Sequence, residues 1–426
     1  MTGLFAIPLL VVLMAIGVPV AWSFAAVTAF LVWIYDVGLN TLMLQGFRSL
    51  NSVILLALPL FILTGYLMEK GGIARRIVDF TAVVARGRAG MGHAIILSSA
   101  LFGAIAGTAS AAVASMGTIM AGPMAERGYP KGYVAALLGV SSLLGILIPP
   151  SITMILFAVV TRQSVSTLFA ATIGPALLLI VGLMVFNAFY VRAHPEIAPP
   201  RPARGQSGRR VLVALPALSL PVIILGGIYG GIFTPTEAAA VAAVAAGLIG
   251  AFVYRELTLS GLRDALLRTA EMTGTIIVIL MFSFLISRIL ASERIPQDLG
   301  EALQGFAGSP LVAILMVNAI LIAAGALMDD VSVTVVVAPL FLPLMEAVGI
   351  SPVQYGAIVA TSVVLGANSP PMAPILFMAC RVCDASVLAA VRPALLILSL
   401  VALPVMLVTS FWPALSLALP RLMGML

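Results

Sequence analysis

Apolar runs about as long as a bilayer is thick follow one another along this chain, separated by short polar segments. A helix needs ~20 predominantly apolar residues to cross the ~30 Å hydrocarbon core. Runs at 3–18, 20–36, 53–69, 165–191, 211–230, 236–254, 273–290 and 386–415 predict single spans. Two more runs, 131–161 and 351–382, are interrupted by double prolines and predict broken spans. Residues 90–125 and 309–346 are apolar but interrupted near GTASAA (107–112) and ALMDDVS (326–332). Each predicts a re-entrant helical hairpin, a form tolerated only where it is buried in protein or lines a cavity. Segments 39–51, 73–86, 257–271 and 295–306 mix charged and apolar residues at helical spacing. They fit helices lying in the interface, with connecting loops as the alternative. The apolar stretches are continuous rather than alternating, which excludes a β-barrel. The expected fold class is an all-α polytopic membrane protein.

The two halves of the chain repeat one another. Pro149–Pro150 and Pro370–Pro371 lie 221 positions apart (370 − 149), and at that offset Gly145 meets Gly366 and Gly128 meets Gly349. Each half runs span, amphipathic segment, hairpin, broken span, span. The expected repeats are 1–191 and 211–426. Between them, RAHPEIAPPRPARGQSGRR (192–210) reads as a solvated cytoplasmic linker. Placing the N-terminus outside puts Lys70, Arg75, Arg76, Arg86, Arg88, Arg127, Lys131, the linker, Arg255, Arg263 and Arg268 inside, as the positive-inside rule requires. Both termini are then expected to be periplasmic. The second half starts inside, so the repeats have inverted topology. Inverted repeats with paired broken helices point to a secondary transporter whose site lies near the bilayer midplane. No basic residue precedes the first apolar run, so it reads as a retained span and not a cleaved signal.

Composition narrows the function. Of 426 residues, 62% are hydrophobic and 9% charged, against ~25% charged in soluble domains. The net charge of +6 sets membrane orientation and gives no reason to expect nucleic acid. No Walker loop is present, so ATP is not the expected energy source. No nucleophile or metal set marks an intramembrane enzyme, and matched hairpins argue against a channel. Cys380 and Cys383 form a C-x-x-C without a second pair and read as inert thiols.

The double prolines have a physical purpose to consider. Proline removes a helical donor and clashes with the carbonyl four residues back. Carbonyls before Pro149 and Pro370 therefore lose their partners, which in lipid costs several kcal/mol per group. A sodium ion, bound through oxygens at a broken helix, can take those partners' place. The hairpin tips would supply further oxygens: Gly107, Thr108 and Ser110 in the first half, and Asp329, Asp330 and Ser332 in the second. Asn368 and Ser369 precede the second break. Simple helix kinking is the competing explanation. Between the adjacent carboxylates, Asp329 is expected to be ion-related and Asp330 to cap the hairpin or lie at the surface. Elsewhere, Thr234-Pro235-Thr236-Glu237 fits a capping box. Arg48 is expected to face solvent or headgroups, Gln354 and Tyr355 to sit at the interface, and His93 to cap or sit at the interface.

Five motifs carry a family resemblance: ALFGAIAGTASAAVASMGTI (100–119), LLGILIPPSITMILFA (143–158), GGIYGGIFTPTEAAAVAA (226–243), GALMDDVSVTVVVAPLFLP (325–343) and LGANSPPMAPILF (365–377). With these the chain resembles, over nearly its whole length, the large membrane subunit of a tripartite ATP-independent periplasmic (TRAP) transporter. The resemblance implies a sodium-driven importer of a small organic anion, working as an elevator in the bacterial inner membrane. It implies two partners, a small four-helix membrane subunit and a periplasmic substrate-binding protein. It implies sodium ions and no organic cofactor. One sodium would sit among Gly107, Thr108, Ser110, Gly145 and Ile148. Another would sit among Gly325, Met328, Asp329, Gly366, Asn368 and Ser369. Substrate would lie between the tips, near Ser110, Ser151, Ser332 and Met372. The chain departs from the family pattern in two places: Ala111-Ala112 leave no aspartate near Thr108, and Met372-Ala373-Pro374 follow the second double proline. A stand-alone sodium–carboxylate symporter of similar architecture is the alternative.

Overall fold

The computed structural model describes residues 5–198, 207–295, 309–370 and 372–426. Pro371, the middle of the linker and all but the first residue of segment 295–306 lie outside the described residues. Every element among the described residues is helical. Among the described residues, seven helices are long and apolar enough to cross a membrane, and the pair Lys131–Leu147 and Ile152–Thr161, bent by 44°, makes an eighth if taken as one span.

The first half contains α1 (Ala6–Ala15), α2 (Val20–Tyr35), α3 (Leu39–Leu50), α4 (Ala57–Lys70) and α5 (Ile73–Val84). Hairpin 1 follows as α6 (Gly90–Ala106) and α7 (Ala109–Ala125). Broken helix 1 is α8 (Lys131–Ser142), α9 (Leu144–Leu147) and α10 (Ile152–Thr161), and α11 (Val165–Ala193) closes the half. The second half opens with α12 (Ser207–Tyr229), α13 (Pro235–Leu248) and α14 (Leu259–Ser292). Hairpin 2 descends through Pro310–Leu327 and returns from Asp330 through short helical and π-helical pieces to Ala347. Broken helix 2 is Pro352–Gly366 and Pro374–Val382, followed by Val387–Ile397, Leu403–Phe411 and Pro413–Leu422. Just ahead of each broken helix, Gly128 and Gly349 hold φ of +85° and +88°, a conformation natural only to glycine.

Two corrections concern α14 and the last apolar run of the chain. The expected interfacial segment 257–271 and span 273–290 form one 34-residue helix. No proline interrupts Leu259–Ser292, so the backbone continues through the charged first turns. At ~1.5 Å per residue such a helix far exceeds the bilayer core, and its polar start pairs with α4 through Lys70–Asp264 at 2.8 Å. Conversely, the run 386–415 divides at Trp412–Pro413, where a separate short helix begins.

Packing sorts the helices into two groups. Helices α12, α13 and α14 pack with α2, α3, α4 and α5. The hairpins and broken helices pack among themselves and against α11 and Val387–Phe411. Within that second group the halves interlock. Hairpin 1 packs on α8 of its own half and on Pro374–Val382 of the other, and α10 packs on the returning limb of hairpin 2. At one end Lys131 and Asp384 join the two broken helices at 2.6 Å. The hydrogen bond from Lys131 holds the exposed Asp384 carboxyl below its usual range. The pair's contribution is therefore present above the ordinary carboxylate pKa, and fades only as pH falls through the lowered one.

Gln354 and Tyr355 also depart from expectation. Both are buried, not interfacial. Gln354 Nε2 donates to the carbonyls of Thr409 (3.3 Å) and Ser410 (3.1 Å), and the Tyr355 hydroxyl donates to Ala338 O at 2.7 Å. Buried polar groups that are hydrogen-bonded across elements fix the register of the helices they join. Gln354→Leu is expected to lower stability by ~1–3 kcal/mol, the worth of two buried hydrogen bonds and the acceptors left behind. Thermal unfolding in detergent measures it. An unchanged midpoint would show that these bonds contribute nothing.

Candidate functional site

Each hairpin tip meets the break of its own half. At the first tip, α6 ends on Gly107, whose φ of +67° reverses the chain. Thr108 then caps α7, its Oγ1 accepting from Ala111 N. At the second tip Asp329 caps the returning limb, Oδ2 accepting from Ser332 N at 3.2 Å, and the Ser332 hydroxyl donates to Oδ1. Thr108 and Asp329 are themselves 221 positions apart (329 − 108), the offset of the prolines. The repeat thus places a hydroxyl at one tip and a carboxylate at the other.

Glycines let tip and break approach backbone to backbone. A Cβ on Gly103 would lie 2.6 Å from Gly145 Cα, and one on Gly145 would lie 3.1 Å from Thr108 O. A Cβ on Gly366 would lie 2.6 Å from Gly325 Cα. A clip fastens each tip to the segment past its break: Ile152 N donates to Gly107 O at 3.2 Å, and Met372 N to Ala326 O at 3.3 Å. The carbonyls of Gly145 and Ile146 face Pro149 and Pro150 four residues on, which have no N–H to give. In the second half Gly366 O accepts from Ser369 N and Ala367 O from Ile375 N, leaving one lone pair on each.

The tips open onto a cavity of about 670 Å³. The wall on the hairpin and broken-helix side carries Ser110, Asp329, Asp330, Ala367 and Ile375, and the facing wall Trp22 of α2 with Met272 and Thr275 of α14. The cavity therefore lies at the boundary between the two helix groups. Of the expected substrate contacts, Ser110 lines it. Ser151 and Ser332 are fully buried, the first capping α10 and the second bonded to Asp329. Met372 is 40% exposed and is not among the lining residues of this cavity.

Of the expected ion ligands, Gly107, Thr108, Gly145 and Ile148 cluster at the first tip and break, and Gly325, Met328, Asp329, Gly366 and Ser369 at the second. Asn368 is fully buried, and its side chain reaches broken helix 1, Nδ2 donating to Gly139 O. Among the described residues its Oδ1 has no hydrogen-bond partner, and a buried oxygen of this kind suits an oxygen-seeking cation. The Ser369 hydroxyl is turned back to Leu365 O at 2.7 Å.

The role expected of Asp330 needs correction. Asp329 is the cap, and Asp330 is neither cap nor surface: its Oδ2 accepts from the buried Thr153 hydroxyl of α10 at 3.0 Å. Sequence spacing carries no signal for that bond, since its partners lie in different halves. The facing wall at Trp22, Met272 and Thr275 likewise gives no motif.

The remaining candidates are structural. Thr234 and Glu237 form the expected capping box. Arg48 is exposed, His93 Nε2 bonds Met184 O at 3.0 Å, and Cys380 and Cys383 are buried free thiols.

A sequence model of the family described as "Tripartite ATP-independent periplasmic transporter, DctM component" matches residues 7–415. The chain is 38% identical over 389 residues to a C4-dicarboxylate TRAP transporter large permease protein of Pseudomonas aeruginosa, covering 91% of each. It is 32% identical over 415 residues to a sialic acid TRAP transporter large permease protein of Vibrio cholerae, covering 95% of each. Among solved structures, the YdaH transporter of Alcanivorax borkumensis shares the fold, with TM-score 0.54 and 14% identity over 88% of each chain.

Proposed function

Because the chain belongs to the DctM family of tripartite ATP-independent periplasmic transporters, as the match over residues 7–415 shows, we propose that it imports a small organic acid coupled to sodium. It is a large permease subunit and an integral membrane protein, not an enzyme. In this reading a periplasmic binding protein delivers the substrate, and a small four-helix membrane subunit braces the scaffold. The single observation that carries the coupling is the pairing of each glycine-lined tip with a proline-broken helix, twice, at one offset.

One sodium ion would take oxygens from Gly107, Thr108, Ser110, Gly145 and Ile148. A second would take them from Gly325, Met328, Asp329, Gly366, Asn368 and Ser369. A hard cation held by carbonyl and carboxylate oxygens replaces the donors that the prolines removed. Bound sodium would draw tip and break together and shape the wall on which substrate rests. Ser110, in the first turn of α7, offers a hydroxyl and a helix N-terminus to a carboxylate.

Movement follows from the two helix groups. The hairpins, the broken helices and the helices that close each half would move as one body against α2–α4 and α12–α14, carrying the cavity across the membrane. Each positive charge moving inward gains ~2.3 kcal/mol per 100 mV of membrane potential. Two sodium ions with one monovalent acid carry net charge inward, so uptake proceeds without ATP. With the positive-inside orientation both termini would be periplasmic.

Uptake into proteoliposomes tests this. The chain is reconstituted with its small subunit under an inward sodium gradient, and organic acids are presented with and without the binding protein. Uptake that requires both sodium and the binding protein is expected. Sodium-dependent uptake by this chain alone would establish the stand-alone symporter, and uptake indifferent to sodium would overturn the coupling.

A further inference from the structure

We infer that Asp330 recognises a cationic group on the substrate, so that the carried acid is zwitterionic and not a plain dianion. This rests on the transporter reading above and specifies the substrate class of the same cavity.

The charge inventory of the cavity leads there. Its polar lining is Ser110, Thr275, Asp329 and Asp330, and no lysine, arginine or histidine is among the described lining residues. An acid carrying two negative charges would meet carboxylates and no side-chain cation, in surroundings where like charges repel strongly. Sodium at the second tip accounts for Asp329. Asp330 is left over. It does not cap the limb, and its one side-chain partner among the described residues is the neutral Thr153 hydroxyl, which orients the carboxylate without neutralising it.

The rest of the wall suits a cation. Trp22, 71% exposed, lines the same cavity, and an indole face attracts an ammonium or amidinium. Met272 and Met378 add polarisable, apolar surface. The cavity thus has two chemically different ends. Ser110 at the α7 N-terminus favours the carboxylate of a ligand, and Asp330 with Trp22 favours its positive group. Asp330 bonds across the halves to α10, beside the first break, so a cation there also sits where hairpin 2 and broken helix 1 meet.

The test reads the cavity's charge preference directly. Thr275 is an exposed lining residue, and the native Cys380 and Cys383 are buried, so a Thr275→Cys variant offers one reactive thiol. Its labelling rates are measured in sodium with methanethiosulfonates carrying a trimethylammonium or a sulfonate group. The cationic reagent is expected to react faster, relative to its rate with a free thiol. Asp330→Asn in the same background is expected to reduce that ratio by about tenfold or more, the scale on which a charged cleft concentrates counter-ions. Thr153→Val and Asp330→Glu, which keep the charge, are expected to preserve it. Continued protection of Cys380 and Cys383 verifies that each variant is folded. A ratio unchanged in Asp330→Asn, or a preference for the sulfonate, overturns the assignment. Should that happen while sodium-driven uptake persists, only the substrate class falls. Absence of sodium-driven uptake in the parent chain would instead remove the transporter reading beneath it.

Discussion

Replacing Asp329 with asparagine abolishes sodium-driven uptake at sodium concentrations that saturate the parent chain. The argument starts from what the substitution leaves intact. Asparagine caps helices as well as aspartate does, so the bond from Ser332 N can persist and the tip can fold. What disappears is the Asp329 charge, while the neighbouring Asp330 remains. Removing one partner of a buried charge pair costs ~3–5 kcal/mol, which corresponds to a loss of about 10²- to 4 × 10³-fold in sodium affinity. The half-saturating sodium concentration for uptake should rise accordingly. Thr108→Ser, a conservative change at the equivalent position of the first tip, keeps the hydroxyl and should leave that concentration nearly unchanged. If Asp329→Asn retained the parent's sodium dependence, the aspartate would be a cap and nothing more.

Gly366→Ala is the second large effect. The new Cβ would stand 2.6 Å from Gly325 Cα and 2.7 Å from Ile322 O, both backbone atoms that no rotamer change can move aside. Hairpin 2 must therefore separate from broken helix 2. Overpacking of a tight contact costs ~1–3 kcal/mol, and ~1.4 kcal/mol in ion binding is a factor of ten. Uptake should fall about five- to 100-fold, with a matching loss in the second ion's affinity. Gly122→Ala is the control, because a Cβ there meets nothing within 4 Å. It should transport normally. Equal behaviour of the two variants would show that the close approach of Gly325 and Gly366 has no functional weight.

Much of this architecture was legible because proline and glycine act locally. Pro149–Pro150 and Pro370–Pro371 break helices wherever the rest of the chain lies, and Gly107 reverses the first tip through its own φ. The Thr234 box is similarly local, and it formed as the residues predict. Where neighbours decide, the sequence was less informative. Gln354 looked interfacial because a span begins there, yet distant carbonyls at Thr409 and Ser410 make burial affordable. Charged residues at 263–271 suggested an interfacial helix, but a helix with no breaker simply extends past the membrane. The cap falls to Asp329 and not to Asp330, because Thr153, far away in the chain, supplies Asp330 with a partner. The second wall of the cavity, at Trp22 and Thr275, comes from tertiary packing of α2 on α14 and leaves no spacing to read.

The central claim is that two tip-and-break pairs each hold a sodium ion, and counting the ions tests it most directly. Equilibrium binding of radioactive sodium to the purified chain in lipid nanodiscs gives the number bound per chain. The account predicts two for the parent and one for Asp329→Asn. No saturable sodium binding, or the same number bound in both, would contradict it.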